Sequence, residues 1–257
     1  MRIATFNANS IRLRSEVILN WMAENDCDVM AIQETKVDDD NFPRMAFEEF
    51  GYHVIYHGQK THYGVATISR VPPEDIKMGM GDPLWPDDKR IACATYGGIR
   101  VINTYVPNGT RVGSDKFAYK LNWLSRFKDL MAAETASYSN LVWLGDINIA
   151  PKPEDVHDSP RLLGSVGHHP EEFERLESIV KGFGLTDCFR KFHQGEGHFT
   201  FWEMFRPTIF ERNMGWRIDH IYATPPMAER CTKCEIDRGP RGGTRPSDHT
   251  VVYADFD

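Results

Sequence analysis

Leu141-Val142-Trp143-Leu144-Gly145-Asp146-Ile147-Asn148 is an apolar run that stops at a glycine and then presents an acid and an amide. The same punctuation recurs along the chain. Ile3-Ala4-Thr5-Phe6 ends in Asn7, Val29-Met30-Ala31-Ile32 in Gln33-Glu34, and Val101-Ile102-Asn103-Thr104 in Tyr105. Asp219 follows Arg217-Ile218, and Asp248-His249 precedes a final run, Val251 to Ala254. Further short β-rich runs lie at Tyr52 to Tyr56, Val65 to Ile68, Ile91 to Thr95, Arg100 to Val106 and Ile218 to Tyr222. Only two segments have helical spacing: Val17, Ile18, Trp21 and Met22, and the stretch Phe117, Leu121, Leu124, Phe127, Lys128 and Met131 with Ser114 as N-cap. Many strands and few long helices predict an α/β chain in which two packed sheets are flanked by helices. Strands must end in polar residues somewhere. If these ends share one sheet edge, however, they line a polar cleft with Asn, Glu, Tyr, Asp and His.

With 257 residues, the chain is long enough to bury a large core, and no repeat or Gly/Ser linker divides it, so one domain over 1–257 is expected. A mean hydropathy of −0.47 and 26% charged residues exclude a membrane-embedded or disordered chain. No apolar run approaches the ~20 residues of a membrane helix, and the N-terminal residues turn polar too soon for a secretory signal. No membrane partner and a cytoplasmic location are expected. Five cysteines, an odd number, suit a reducing compartment. Cys231-x-x-Cys234 lacks the second ligand pair of a structural zinc site, and the Asn108-Gly109-Thr110 sequon is expected to stay unmodified.

A net charge of −7 argues against non-specific coating of nucleic acid, but not against a specific nuclease. The window Arg206 to Arg245 holds eight Lys or Arg against five acids, whereas Glu24 to Glu49 holds nine acids against two bases. A basic face opposite an acidic one, or two ordinary solvated surfaces, would each produce this pattern.

A carboxylate such as Glu34 among amide oxygens is a hard-oxygen environment suited to Mg²⁺, and a single histidine in the cleft disfavours zinc. His249 needs an orienting acid to fix its tautomer. The adjacent Asp248 is ill placed on an extended chain, where neighbouring side chains point to opposite faces, so the distant Asp219 is the better orienter. Phosphodiester hydrolysis needs an in-line nucleophile and donors to the phosphate. Asp146 can act on water; Asn7, Asn148, Tyr105 and His249 can donate. No Gly-x-Ser-x-Gly elbow, phosphate-binding loop or dinucleotide fingerprint is present.

Taken together, Phe6-Asn7-Ala8-Asn9-Ser10-Ile11-Arg12, Gln33-Glu34-Thr35-Lys36-Val37, Tyr105-Val106-Pro107-Asn108-Gly109, Gly145-Asp146-Ile147-Asn148, Gly215-Trp216-Arg217-Ile218-Asp219 and Ser247-Asp248-His249 resemble the exonuclease III family of abasic-site endonucleases. That family belongs to the endonuclease/exonuclease/phosphatase superfamily, and the likeness spans nearly the whole chain. Tyr56 to Lys60 and His62 to Ala66 resemble its bacterial branch. Gly-Asp-x-Asn alone is a weak signal, since sphingomyelinases, inositol phosphatases and deadenylases share it.

The resemblance implies a four-layer αββα sandwich and a Mg²⁺-dependent DNA-repair hydrolase, with Mn²⁺ as a substitute. It would cut duplex DNA 5′ to abasic sites and also process 3′ ends as an exonuclease and end-cleaning enzyme. Glu34 would be the principal metal ligand, with Asp248 and Asn9 near the metal. Asn9 departs from the aspartate of the human branch. Asp146, Asn148, His249, Asp219, Tyr105 and Asn7 would form the catalytic set. Phe201, Trp216 and Ile218 match the positions that line the abasic pocket, although an ordinary aromatic core is the plainer reading of such residues, and it is preferred for Trp202. Arg90, Asn108, Arg111 and Lys116 match DNA-contacting positions; Arg111 and Lys116 could equally be solvated charges. The partner would be double-stranded DNA with abasic sites or 3′ ends, and the protein a monomer. The rival reading is a superfamily phosphatase or phospholipase acting on a small or lipid phosphoester.

Overall fold

Strand β1 (Arg2–Asn7) lies parallel to β2 (Val29–Gln33) and antiparallel to β12 (Val251–Phe256). In the second sheet β7 (Ile99–Tyr105) lies parallel to β8 (Leu141–Asp146), which is antiparallel to β10 (Asp219–Ala223). These directions decide where function can sit. A strand parallel to its neighbour ends where the neighbour ends, and an antiparallel one begins there. Asn7 therefore pairs with Gln33, Tyr105 with Asp146, and Asp146 with Asp219, all at one edge.

The computed structural model describes residues 1–81, 89–204 and 208–257. The remaining described strands are β3 (His53–His57), β4 (Val65–Ser69), β5 (Glu74–Met78), β6 (Ile91–Tyr96), β9 (Thr186–Asp187) and β11 (Cys231–Asp237). One sheet runs β11-β12-β1-β2-β4-β3, the other β5-β6-β7-β8-β10-β9. Alternation along the strands builds the layers. Ile3, Val29, Ala31, Val101, Val142 and Leu144 fill the space between the sheets. Ala4, Phe6, Met30 and Ile32 face outward beneath helix Ile11–Glu24, packing against its Ile18 and Met22. Ile102 and Trp143 on the other sheet pack beneath helices Asp115–Ser137 and Pro170–Val180, against Leu124, Phe127 and Ile179. The four-layer αββα sandwich follows. Between the sheets, Gln33 Nε2 donates to Asn103 Oδ1 at 2.8 Å, so a polar pair bonds the layers just short of the edge.

Both expected helices form, and the Ser114 hydroxyl caps the longer one by accepting from Phe117 N at 3.3 Å. Strands β5, β9 and β11 and helix Pro170–Val180 lie beyond the expected elements. All three strands are at or next to a sheet edge, and β5 and β11 carry the charges that edge strands use against mispairing, which masks their period. The helix is capped by His169, with Pro170 at its first position. Cys231 and Cys234 are buried in the core between the sheets. Among the described residues, no helix is long and apolar enough to cross a membrane.

The basic window does not form one face. Arg217 is fully buried, its Nε donating to Asp155 Oδ1 at 2.7 Å and its Nη2 to Asp187 Oδ2 at 2.8 Å. Arg241 is buried too, stacked on Phe210, while Arg238 lies over Trp202 and Phe210. Arg206 lies outside the described residues. Of the two readings of the window, a single basic face loses two charges, because Arg217 is taken inside by Asp155 and Asp187 and Arg241 is buried against Phe210, while Arg238 stays exposed. Asp155 also accepts from Arg190 Nη2 at 2.5 Å, and Arg217 N donates to the Asp155 carbonyl at 2.7 Å. This network clamps the segment that carries Trp216 and Asp219.

Asp155→Asn removes the carboxylate that Arg190 and Arg217 share and leaves Arg217 with Asp187 alone, and removal of one partner of a buried pair costs about 3–5 kcal/mol. Urea unfolding should show that loss at neutral pH. A change within experimental error would show that the clamp contributes nothing to the fold.

Candidate active site

Gly145 explains why Asp146 stands where it does. Its φ is +141°, and a Cβ there would come within 1.9 Å of the Thr104 carbonyl oxygen. Only glycine allows β8 to approach β7 so closely at the edge. Asp146, 1% exposed, is then aimed across the seam between the sheets, where Asn7 Nδ2 donates to its Oδ2 at 2.8 Å and to Glu34 Oε1 at 3.0 Å. One amide thus joins a carboxylate of each sheet.

The turns around this point are strained. Asn9, Glu34, Lys36 and Asn148 hold φ of 44°, 52°, 52° and 54°. Each such residue costs about 1 kcal/mol or more. They persist because neighbouring groups over-determine them: Ser10 N donates to the Glu34 carbonyl at 2.8 Å, and Asn148 N to Asp146 Oδ1 at 2.9 Å. The Asn148 side chain donates to the Val106 carbonyl at 2.9 Å and accepts from Asn108 Nδ2 at 3.1 Å.

His249 Nδ1 lies 2.8 Å from Oδ2 of Asp219, the distant carboxylate, and its Nε2 faces Asp146 Oδ2 at 3.7 Å. Burial opposes the charged imidazole, but Asp219 and then Asp146 outweigh it and raise the His249 pKa to about 10. Nδ1 donates to Asp219, and the imidazolium presents its second N–H to the cleft. Burial also pushes Asp146 up, to about 7, against the pull of His249. Tyr105 is raised well above its ordinary value by burial and by the charges of Glu34 and Asp146, so it remains a phenol able to donate. The Asp248 side chain accepts from Asn9 Nδ2 and the Ser247 hydroxyl. Although burial works against its charge, His249 and the bond from Asn9 Nδ2 at 2.9 Å hold its pKa below the usual carboxylate range.

These side chains open into a cleft of about 500 Å³, lined by the polar Glu34, Tyr105, Asp146, Asn148, Asp248 and His249 and by the apolar Phe201, Trp216 and Ile218. Phe201 bridges Trp216 and His249 through main-chain pairing, and its ring lies 5.0 Å from the imidazole. Trp216 is half-buried at the cleft wall, whereas Trp202 is fully buried, as its core reading anticipated. Val166, Gly167 and Glu203 also line the cleft, and sequence reasoning missed them. They sit in irregular segments with no period to mark them; the only signal for the first two was the helix start that follows, at Pro170.

Asn108, Arg111 and Lys116 are exposed around the loop after β7 and the start of the next helix. Arg90 is placed differently from that expectation. It is 5% exposed, its guanidinium lies 3.8 Å from the Tyr63 ring centroid and 4.9 Å from that of Tyr105, and its Nη1 donates to the Tyr105 carbonyl at 3.2 Å. Arg90 supports Tyr105 from behind.

The acceptors suit a divalent cation. Glu34 offers Oε2 toward Lys36 Nζ at 2.7 Å, so the position beside it already holds a positive charge. Asp219 Oδ1 is buried without a hydrogen-bond partner. Asp146, Asp219 and His249 also lie close enough together to hold an ion, but the Asp219–His249 bond commits that imidazole nitrogen to a proton. The oxygen donors near Glu34 therefore fit a hard cation better than zinc. Asn9 spends its side chain on Asp248 and on Lys36 Nζ, leaving it to hold the carboxylate in place.

Over residues 4–249 the chain matches the endonuclease/exonuclease/phosphatase family. It is 33% identical over 267 residues to exodeoxyribonuclease III of Haemophilus influenzae, with 100% of both chains covered. Among solved structures, an AP endonuclease from Archaeoglobus fulgidus is 40% identical with a TM-score of 0.95, covering 100% of this chain and 99% of that one. The 3′ phosphatase NExo from Neisseria, bound to product DNA hairpin, is 37% identical with a TM-score of 0.95 and the same coverage.

Asp219→Asn removes the charge that holds His249 protonated. An NMR titration of the imidazole should show its pKa fall by about a unit or more, since neutralising a close opposite charge shifts a pKa by that much. An unchanged titration would show that another group sets it.

Proposed function

The chain belongs to the endonuclease/exonuclease/phosphatase family, and on that basis we propose that residues 1–257 form one domain that acts as a metal-dependent DNA-repair phosphodiesterase. It hydrolyses DNA phosphodiester bonds, cutting duplex DNA 5′ to abasic sites and trimming and cleaning 3′ ends. It works as a cytoplasmic monomer. The observation that carries this reading is one cleft that the Asn7-linked carboxylates and His249 share with an apolar wall of Phe201, Trp216 and Ile218. A flipped sugar lacking its base fits such a wall, and a charged lipid headgroup gains nothing from it.

Glu34 is the residue that would hold Mg²⁺, with Mn²⁺ as substitute, and Asp248, fixed by Asn9, lies in the same cleft. When bound, the cation would neutralise charge on the phosphate and stabilise the leaving oxygen. The chain's own groups do the rest. Asp146 accepts from the attacking water, and its pKa near 7 suits a base at neutral pH. Asn148 keeps that carboxylate oriented through its own N–H. His249 and Tyr105 donate to the phosphoryl oxygens; Asp219 holds the imidazole in register. Asn7 holds Asp146 and Glu34 at a fixed separation. Asn108, Arg111 and Lys116 contact phosphates and set register on the duplex.

A duplex carrying a single synthetic abasic site should be nicked by the protein with Mg²⁺ and left whole with EDTA. Persistent cleavage in EDTA would remove the metal from the reaction. Glu34→Gln keeps the shape but loses the charge, so it should raise the Mg²⁺ concentration needed for half-maximal rate and lower turnover by about a hundredfold. Wild-type rate at low Mg²⁺ would end the assignment of Glu34.

The apolar wall is tested separately. Trp216→Ala should impair cleavage at the abasic site more than binding to undamaged duplex, because only the extruded sugar uses the wall. Equal losses in the two assays would return Trp216 to the core.

A further inference from the structure

Beneath the cleft lies an ion pair that no step above uses. Lys120, on helix Asp115–Ser137, and Glu172, on helix Pro170–Val180, are both 0% exposed, and Lys120 Nζ lies 2.5 Å from Glu172 Oε1. The same ammonium donates to the main-chain carbonyls of Asn148 at 2.7 Å and Asn108 at 3.2 Å. Glu172 Oε2 accepts from the main-chain N–H of Gly167 at 2.7 Å and of His169 at 3.2 Å. One pair therefore holds, by their backbones, the loop after β7, the loop after β8 and the turn beside Trp216.

Burial of two full charges is expensive, and an apolar pair of similar volume often packs as well or better. What an apolar pair cannot supply is donors and acceptors for loop backbone. The Asn148 carbonyl belongs to a residue at φ 54°, and its N–H fixes Asp146 Oδ1. Gly167 accepts from Ala150 N at 2.7 Å, and a Cβ on it would meet the Trp216 ring at 3.4 Å and the Asn148 carbonyl at 3.3 Å. The Asn108, Asn148 and Gly167 backbones that the pair grips are thus each one bond or one contact from Asp146, Asn148 or Trp216.

We propose that Lys120, braced by Glu172, is a positioning residue for phosphodiester hydrolysis, which fixes Asn148 and through it Asp146 without touching substrate. The inference rests on the hydrolytic reading of the cleft. Displacement of reacting groups by about 1 Å costs about a hundredfold in rate, so loss of the strut should appear in kcat.

The test uses the charge-neutral double variant Lys120→Met/Glu172→Gln, which leaves no unpaired buried charge and keeps an oxygen for the Gly167 N–H, and the single Glu172→Gln, which keeps the Lys120 donors. On the abasic duplex the double variant should lose about a hundredfold in kcat, with KM for DNA within about threefold, and Glu172→Gln should lose less by the same route. In an Asn148→Ala background the double variant should cost little further, because residues acting as one unit do not add. Wild-type kcat in both variants, or losses that multiply in the Asn148→Ala background, would overturn the proposal.

Hydrogen exchange separates this result from the functional reading, because it needs no turnover. Faster exchange at the Asn148 and Gly167 amides, with β7 and β8 unchanged, supports the strut, and unchanged exchange at both amides overturns it. Absence of cleavage by the wild-type protein would count against the hydrolytic reading alone.

Discussion

The side-chain amide of Asn7 donates to Asp146 of one sheet and to Glu34 of the other, and the active-site geometry depends on that double bond. Two carboxylates so close in a low-dielectric seam repel each other strongly. Without a shared donor, each would turn toward its own solvent, and the cleft would have no common focus. Asn7 is itself pinned, its carbonyl accepting from the Ser247 hydroxyl at 2.7 Å and its side-chain oxygen from Asn9 N at 3.0 Å. The segment that leads into β12 is thereby tied to the strand end that organises the site.

The cost of gathering acids is met by position and protonation. Asp219 is answered by the His249 imidazolium, Glu34 by Lys36, and Asp248 by Asn9 and His249. Among the described residues, Asp146 has a bond from Asn7, one from Asn148 and a distant imidazole, and it is the acid whose pKa rises to about 7. Burial raises the pKa of a carboxylate left short of partners in this way. The backbone around it stores strain at Asn9, Glu34, Lys36 and Asn148. Rigid strands deliver the side chains to the edge, and the strained turns set their final direction.

The same edge explains how recognition and chemistry share one cleft. Phe201 pairs with Trp216 on one side and His249 on the other, so the apolar wall and the imidazole are joined in one ribbon. The Arg217–Asp155–Arg190 network holds that ribbon from within. Arg217, which the sequence shows as part of a basic stretch, is used here as an internal brace.

Apolar runs broken by Asn7, Glu34, Tyr105, Asp146 and Asp219 already specify two packed sheets and a polar edge, because strand period and the placement of polar residues are local properties of the chain. The pairing of His249 with Asp219 was also readable, since adjacent residues on an extended strand face opposite ways. Edge strands β5 and β11, the buried state of Arg90 and Arg217, and the Lys120–Glu172 strut were not readable. Whether a charge faces water or a buried partner depends on residues far away in sequence: 62 positions separate Asp155 from Arg217, and Lys120 meets Glu172 across two helices. Local sequence determined which side chains would reach the edge. Only the packing of the two sheets and their helices decided which of the other charges would hold them there, because burial and pairing are properties of the assembled core and not of any one segment.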